Sequence, residues 1–214
     1  MRKSMFSLAA VALVAGLVTS FAVAGDYDKK NKDKKNGATA AVAIGQPAPL
    51  FSLQDQDGKT VNLADYKDKV VVLEWFNNEC PYVVKFYKEG HMNQWAEAYA
   101  GKGVVWLAIN STKGKTNADN KAVAGEWNVN RPILNDATGD TGKAYGATNT
   151  PQMFVINKGQ IAYMGAIDNN RSSNTADIAG AKNYVAKALD EILAGQSVSE
   201  PETKAYGCSV KYAK

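Results

Sequence analysis

The sequence predicts an α/β sandwich built on a mixed central sheet. Apolar runs of strand length alternate with stretches of helical pattern, and a late hairpin signal is followed by one more helix. No internal repeat of solenoid length competes with this reading.

Order is expected to begin near Ile44-Gly45-Gln46-Pro47. Leu50 to Leu53 and Thr60 to Leu63 are short strands either side of Asp55-Gln56-Asp57-Gly58, whose Asp-Gly pair is a turn signal. Val70 to Phe76 follows as a strand rich in β-branched and aromatic residues. It does not alternate, which suits a central position covered on both faces. From Pro81 the pattern is helical, with Tyr82, Phe86, Trp95 and Ala96 among its apolar positions, and it stops at Gly101-Lys102-Gly103. Gly90 interrupts the run, and a kinked helix or two separate pieces both fit. Val104 to Ile109 is a second buried strand, Asn110 to Lys121 a polar loop, and Ala122 to Trp127 a weaker helical piece. Pro132-Ile133-Leu134 reads as a third strand and Thr141 to Tyr145 as a short helix. Met153 to Ile156 and Gln160 to Met164 flank Asn157-Lys158-Gly159 as a hairpin. Ala176 to Leu193 is a helix with Ile178, Ala181, Val185, Leu189 and Ile192 three or four apart, and Gln196 to Lys214 has little periodicity.

The amino end is of a different kind. Met1 to Ala24 combines Arg2 and Lys3, an apolar region, and Ala22-Val23-Ala24 before Gly25, which matches a cleaved export signal. An uncleaved membrane anchor is the alternative, because the apolar stretch approaches the roughly 20 residues of a bilayer span. The expected organisation is a signal peptide over 1–24, a flexible Lys/Asp-rich linker over 25–43, a domain over 44–195 and a tail over 196–214. Cleavage leaves about 190 residues, enough for one domain with a sizeable core, in the periplasm or secreted and without stable membrane insertion. It also lowers the formal charge of +4 by two, and a balance that small implies no nucleic-acid partner.

The residues that carry chemistry lie at the end of the Val70 strand. Cys80 precedes Pro81, which suits the first helical position, so Cys80 is expected at the N-cap. There the helix dipole and unpaired N–H groups favour a thiolate and lower the thiol pKa. Glu74, flanked by Leu73 and Trp75, is costly to bury unless it is protonated or hydrogen-bonded. Desolvation is expected to raise its pKa towards a range where it can exchange a proton with a thiol. Its alternative is a carboxylate that simply reaches a solvated edge. Cys208 is the only other cysteine, and an exported protein can form and keep a disulfide. His91, the single histidine, would lie about 16 Å along a continuous helix from Cys80, too far to serve as its base. No G-x-x-x-x-G-K-[ST] phosphate loop occurs, and no cofactor is implied.

Glu74 six residues before Cys80, and Thr150-Pro151 before the strand Met153 to Ile156, together resemble the thioredoxin fold. The match from Ile44 to Leu193 is similar to its redoxin branch, the alkyl hydroperoxide reductase and thiol-specific antioxidant superfamily. Glu79-Cys80-Pro81-Tyr82-Val83, Gly103 to Ser111, Gly165-Ala166-Ile167-Asp168 and Tyr206 to Tyr212 resemble an exported bacterial peroxiredoxin-like group. The resemblance implies a thioredoxin-like sandwich, a mixed central sheet with helices on both faces. It implies Cys80 as the first cysteine of the C-x-x-C motif, Glu74 as the buried acid, and Pro151 as a cis-proline that, with Thr150, faces the thiol and offers substrate backbone an edge. Tyr82 joins that substrate-binding group.

Val83 stands where the second cysteine of the motif belongs. A peroxiredoxin site requires P-x-x-x-[TS]-x-x-C, and counting back from Cys80 gives Leu73 and Asn77 instead of proline and threonine. The expectation is therefore a thiol-disulfide oxidoreductase acting on protein thiols or disulfides with an upstream reductant or oxidant, in which Cys208 folds back to resolve Cys80. Gly207 would permit the close approach. A permanent Cys80–Cys208 staple and two independent thiols remain alternatives. So do a thiol-dependent peroxidase and a non-catalytic binding or metal-delivery module, the latter with copper on Cys80, Cys208, His91 and Met92.

Overall fold

In the computed structural model, the structure describes residues 42–213. The signal peptide or anchor expected over 1–24, and the linker up to residue 41, lie outside them. A seven-stranded sheet has the order β2-β1-β5-β4-β3-β7-β8, from β1 (Ser52–Gln54), β2 (Thr60–Asn62), β3 (Val70–Trp75), β4 (Val105–Asn110), β5 (Ile133–Asn135), β7 (Gln152–Asn157) and β8 (Gln160–Gly165). β3 runs parallel to β4 and antiparallel to β7, so the sheet is mixed, as expected.

Strand β3 lies between two long neighbours and sends alternate side chains into two cores. Val71, Leu73 and Trp75 pack with Leu107, Ile109 and Phe154 on one face. Val72 and Phe76 pack on the other with Phe86 from α1 (Pro81–Lys88), Met92 from α2 (His91–Ala100), and Leu189 from α5 (Tyr184–Leu193). Burial on both faces explains why the run does not alternate in hydrophobicity.

The helix expected to begin at Pro81 is in two pieces. Gly90 joins them at φ +75°, a conformation that favours glycine. Two other boundaries differ from expectation. α3 (Asn117–Glu126) starts inside the expected 110–121 loop, because Thr116 and Asp119 form a reciprocal capping box. The expected helix from Ala176 is a 3-10 turn (Thr175–Asp177) followed by α5, which begins only after Asn183 caps the Ala186 N–H. The apolar spacing from Ile178 onwards suggested one helix, and the asparagine cap sets the real start. Between them, α4 (Asp140–Ala144) leads into a second, two-stranded sheet of β6 (Asn149–Thr150) and β9 (Cys208–Ser209).

Apart from the two-residue strand β9, the tail after Gly195 is held by individual hydrogen bonds. Thr203 N–H donates to the Met164 carbonyl at 3.1 Å, and Met164 N–H to the Pro201 carbonyl at 3.0 Å. Further on, Val210 N–H donates to the Thr148 carbonyl at 3.0 Å, and the Tyr212 hydroxyl to the Ala147 carbonyl at 2.6 Å. Among the described residues, no helix is long and apolar enough to cross a membrane.

Candidate active site

The end of β3 delivers Cys80 through a short turn. Asn77 shapes it: its side chain accepts the Glu79 N–H at 2.8 Å and its carbonyl the Cys80 N–H at 3.1 Å. Cys80 is the N-cap of α1, with extended backbone (φ −88°, ψ 118°) and Pro81 at the first helical position. Its carbonyl accepts from the N–H groups of Val83 and Val84, both at 2.9 Å. The thiol is only 1% exposed.

Opposite lies Thr150-Pro151, joined by a cis peptide bond. As a thiol, Cys80 Sγ donates to the Thr150 carbonyl at 3.0 Å. Thr150 is also where the tail arrives, since β6 and β9 pair antiparallel with Thr150 opposite Cys208 and Asn149 opposite Ser209. Asn149 Nδ2 adds a bond to the Gly207 carbonyl at 3.3 Å. Gly207 has φ +120°, and a Cβ there would collide with the Thr150 carbonyl. The close approach thus requires the glycine on both conformational and steric grounds.

This pairing sets Cys208 close enough to Cys80 that each thiol shifts the pKa of the other. The consequences for them are opposite. Burial raises the Cys80 pKa, but the polar groups of Cys208, Thr150 and Val83 around the sulfur outweigh it and bring the thiol below its usual 9.0. Cys208 is pushed up to about 11, first by burial and then by the neighbouring Cys80. Of the two thiols, Cys80 is thus the more acidic and Cys208 the less acidic. Both are free cysteines in this structure.

Glu74 is fully buried on the face of β3 that looks towards α1, with no solvated edge in reach. Its Oε1 accepts from the Tyr87 hydroxyl at 2.7 Å. Its Oε2 accepts from Trp106 Nε1 at 3.0 Å and from Arg131 Nη2 at 3.3 Å. Arg131 Nη2 also donates to the Tyr87 oxygen at 2.7 Å, and Nη1 to Asn93 at 2.7 Å. No hydrogen bond joins Glu74 to either sulfur among the described residues, so the geometry ties this carboxylate to Arg131 rather than to the thiol. The sequence offered no pointer to Arg131, which lies in a loop far along the chain.

A second buried charge lies on the other side of α1. Lys85 is 1% exposed and its Nζ is 3.7 Å from the Asp168 carboxylate. Tyr206, two residues before Cys208, donates its hydroxyl to Asp168 Oδ1 and lies 3.4 Å from Lys85 Nζ. Burial lowers the Lys85 pKa although Asp168 opposes the shift. Tyr82 is half-buried beside Cys80, and its ring meets that of Tyr206 edge-on at 5.9 Å between centroids. Lys85 was not singled out in the sequence, and Tyr206 stood there only as the first residue of the Tyr206 to Tyr212 segment. His91 stays at the start of α2, with Nε2 3.6 Å from Glu89.

Gly207→Ala is expected to disturb this geometry with little effect on the rest of the fold. Forcing a side chain into that backbone costs roughly 1–3 kcal/mol, which should appear as a lower fraction of Cys80–Cys208 disulfide at a given glutathione ratio.

Residues 44–164 match the AhpC/TSA family model. Among curated relatives, the thiol-disulfide oxidoreductase ResA of Bacillus cereus is 27% identical over 154 residues, which is 72% of this chain and 82% of that protein. The ResA of Geobacillus thermodenitrificans is 32% identical over 118 residues, 55% of this chain and 66% of that protein, just short of two thirds of its length. An uncharacterized conserved protein of Geobacillus kaustophilus has a similar structure, with a TM-score of 0.73 and 32% identity over 80% of this chain and 93% of that one. The thioredoxin-like sandwich implied by the sequence resemblance is the fold observed.

Proposed function

The chain belongs to the AhpC/TSA family, and from that premise we propose that it is an exported thiol-disulfide oxidoreductase in which Cys80 attacks and Cys208 resolves. The observation that carries this reading is the pairing of Thr150 with Cys208, which sets the tail thiol against the N-cap thiol. The names of the ResA relatives support the reaction class, and protein thiols or disulfides are its expected partners.

The chemistry follows from the two pKa directions. The Cys80 thiolate attacks one sulfur of a substrate disulfide, forming a mixed disulfide and releasing the other sulfur as a thiolate. Cys80 then carries no charge, so the influence of Cys80 that held Cys208 protonated is relieved and burial alone opposes its ionisation. Cys208 loses its proton to solvent and attacks Cys80 Sγ. The Cys80–Cys208 bond forms as the bond to the substrate breaks, and the second substrate sulfur leaves as a thiolate. An external dithiol restores the starting state by the reverse exchange.

The remaining site residues act around this pair. Thr150 and Pro151 present the backbone edge on which a substrate strand lies, and Tyr82 forms the wall beside it. Glu74 acts through packing: with Arg131, Tyr87 and Trp106 it fixes the floor beneath α1 and so the direction in which Cys80 points. Export through cleavage after Ala24, and the divisions into linker, domain and tail, belong to the same proposal.

The test uses the reduced protein mixed with one equivalent of a peptide disulfide, and separately with hydrogen peroxide. Stoichiometric peptide thiol release, a Cys80–Cys208 bridge found by peptide mapping, and slow peroxide consumption are expected. Rapid peroxide reduction without peptide exchange would favour a peroxidase. Failure to form the bridge under any oxidant would defeat the pairing. The pH profile of the first exchange gives another check. Because the Cys80 pKa is lowered, the rate should rise with pH and level off with a midpoint below 9.0.

A further inference from the structure

A docked tail that makes the resolving thiol available also closes the site. Cys80 is 1% exposed, with Thr150 on one side and the Cys208 strand on the other. The backbone edge at Asn149 and Thr150 is already paired with β9, so an incoming chain that places a sulfur on Cys80 must first take the place of that strand. Something has to hold the strand closed and still let it go.

We infer that Tyr206, Asp168 and Lys85 form a latch that holds the Cys208 strand over Cys80, and that Cys80 meets a substrate disulfide only when this latch opens. The inference rests on the reading of Cys80 and Cys208 as the reacting pair. Its geometry is specific. Lys85 lies five residues after Cys80 on α1, and Tyr206 lies two residues before Cys208, so the cluster joins the element that carries one sulfur to the segment that carries the other. Asp168 receives the tyrosine hydroxyl on Oδ1, while Oδ2 has only the lysine, at 3.7 Å, with no hydrogen-bond partner. The lysine ammonium also donates to the Asn170 carbonyl at 3.2 Å and lies over the Tyr206 ring, 5.5 Å from its centroid.

Apolar packing alone would hold a tail in several neighbouring registers. A hydroxyl that must reach a buried carboxylate beside a buried ammonium accepts one register only, the one in which Cys208 faces Cys80. Release is accessible for the same reason. When Tyr206 leaves, water reaches Asp168 and Lys85 and replaces the lost bonds. Lys85 and Asp168 are positioning residues here, acting on the reaction through the tail.

Two variants test the latch, each checked by circular dichroism for an intact fold. Tyr206→Phe removes the hydroxyl and keeps the ring against Tyr82. Val210→Pro removes the N–H that pins β9 to Thr148 and leaves the latch residues in place. The readout is the iodoacetamide alkylation rate of Cys80 in the reduced full chain, followed by mass-mapped peptides, together with the glutathione ratio at which Cys80–Cys208 forms.

Losing a hydrogen bond to a charged group should raise the alkylation rate about tenfold in Tyr206→Phe, and lower the disulfide formation constant by a similar factor. Val210→Pro should move both in the same directions. Equal alkylation rates in all three proteins would overturn the latch even if the disulfide still forms. Acceleration in Val210→Pro alone would show that the strand opens without regard to Tyr206, and would remove the latch residues from the proposal. Faster alkylation in both variants, in a protein that never forms the Cys80–Cys208 bond, would leave the latch standing and defeat the redox pair.

Discussion

Cys208→Ser is expected to leave a protein that takes one substrate disulfide and cannot release it. Cys80 retains its N-cap position, its neighbour Thr150 and its exchange step, so a mixed disulfide forms. Serine has no sulfur with which to break it. Incubation with a peptide disulfide should give one peptide adduct per chain, seen in the intact mass and mapped to Cys80. Multiple turnover should fall by about a hundredfold or more, because resolution then depends on a thiol arriving from solution rather than on one held in place. Cys80→Ser should give no adduct at all and only the background rate. The contrast between the two variants separates attack from resolution. If Cys208→Ser turned over as fast as the unmodified protein, Cys208 would have no part in the reaction.

The second large effect concerns stability. Arg131→Met is expected to destabilise the reduced protein by roughly 3–5 kcal/mol, because it leaves the Glu74 carboxylate charged and fully buried without its cation. Trp106 and Tyr87 would still donate to it, and neither brings a charge. Denaturant unfolding, monitored by fluorescence at neutral pH in the presence of reductant, measures this directly. The double variant Glu74→Gln with Arg131→Met should recover a substantial part of the loss, since it removes the charge that was left alone. Additive losses from the two changes would mean that the pair is not coupled.

The parts of the fold that the sequence revealed are those in which one local pattern has one cause. β3 was legible because burial on both faces leaves an uninterrupted apolar run, and Cys80 because proline marks the first turn of α1. The start of α3 was written in the chain as Thr116 followed three residues later by Asp119, a capping signal hidden by the polarity of its surroundings. The start of α5 was hidden by apolar spacing that continues upstream of its asparagine cap.

The site was legible in its cysteines and in Thr150-Pro151, and opaque in its charges. A lysine in an amphipathic helix normally faces water, so nothing local marks Lys85 as buried. Its partners Asp168 and Tyr206 come from two distant segments that only the fold brings together. The same holds for Arg131, whose place beneath Glu74 depends on the order of the strands. Glu74 itself stood out as an acid in a buried strand, and its cation did not. The acid therefore looked like a group free to exchange protons.

One feature of the tail governs how it can move. Cys208 lies between two points of attachment, Thr203 against Met164 and Ala166 upstream and Tyr212 against Ala147 downstream. The Tyr212 ring covers Gly139 and Gly142, where any side chain would collide with it. With attachments on both sides, the intervening residues do not peel away from one side. They can only bow outward as a short arch and fall back. Such an arch gains little conformational entropy when it opens and never carries its sulfur far, so the local concentration of the resolving thiol stays on the order of millimolar. A mixed disulfide on Cys80 would then be closed from within before a dilute thiol in the surroundings could intercept it.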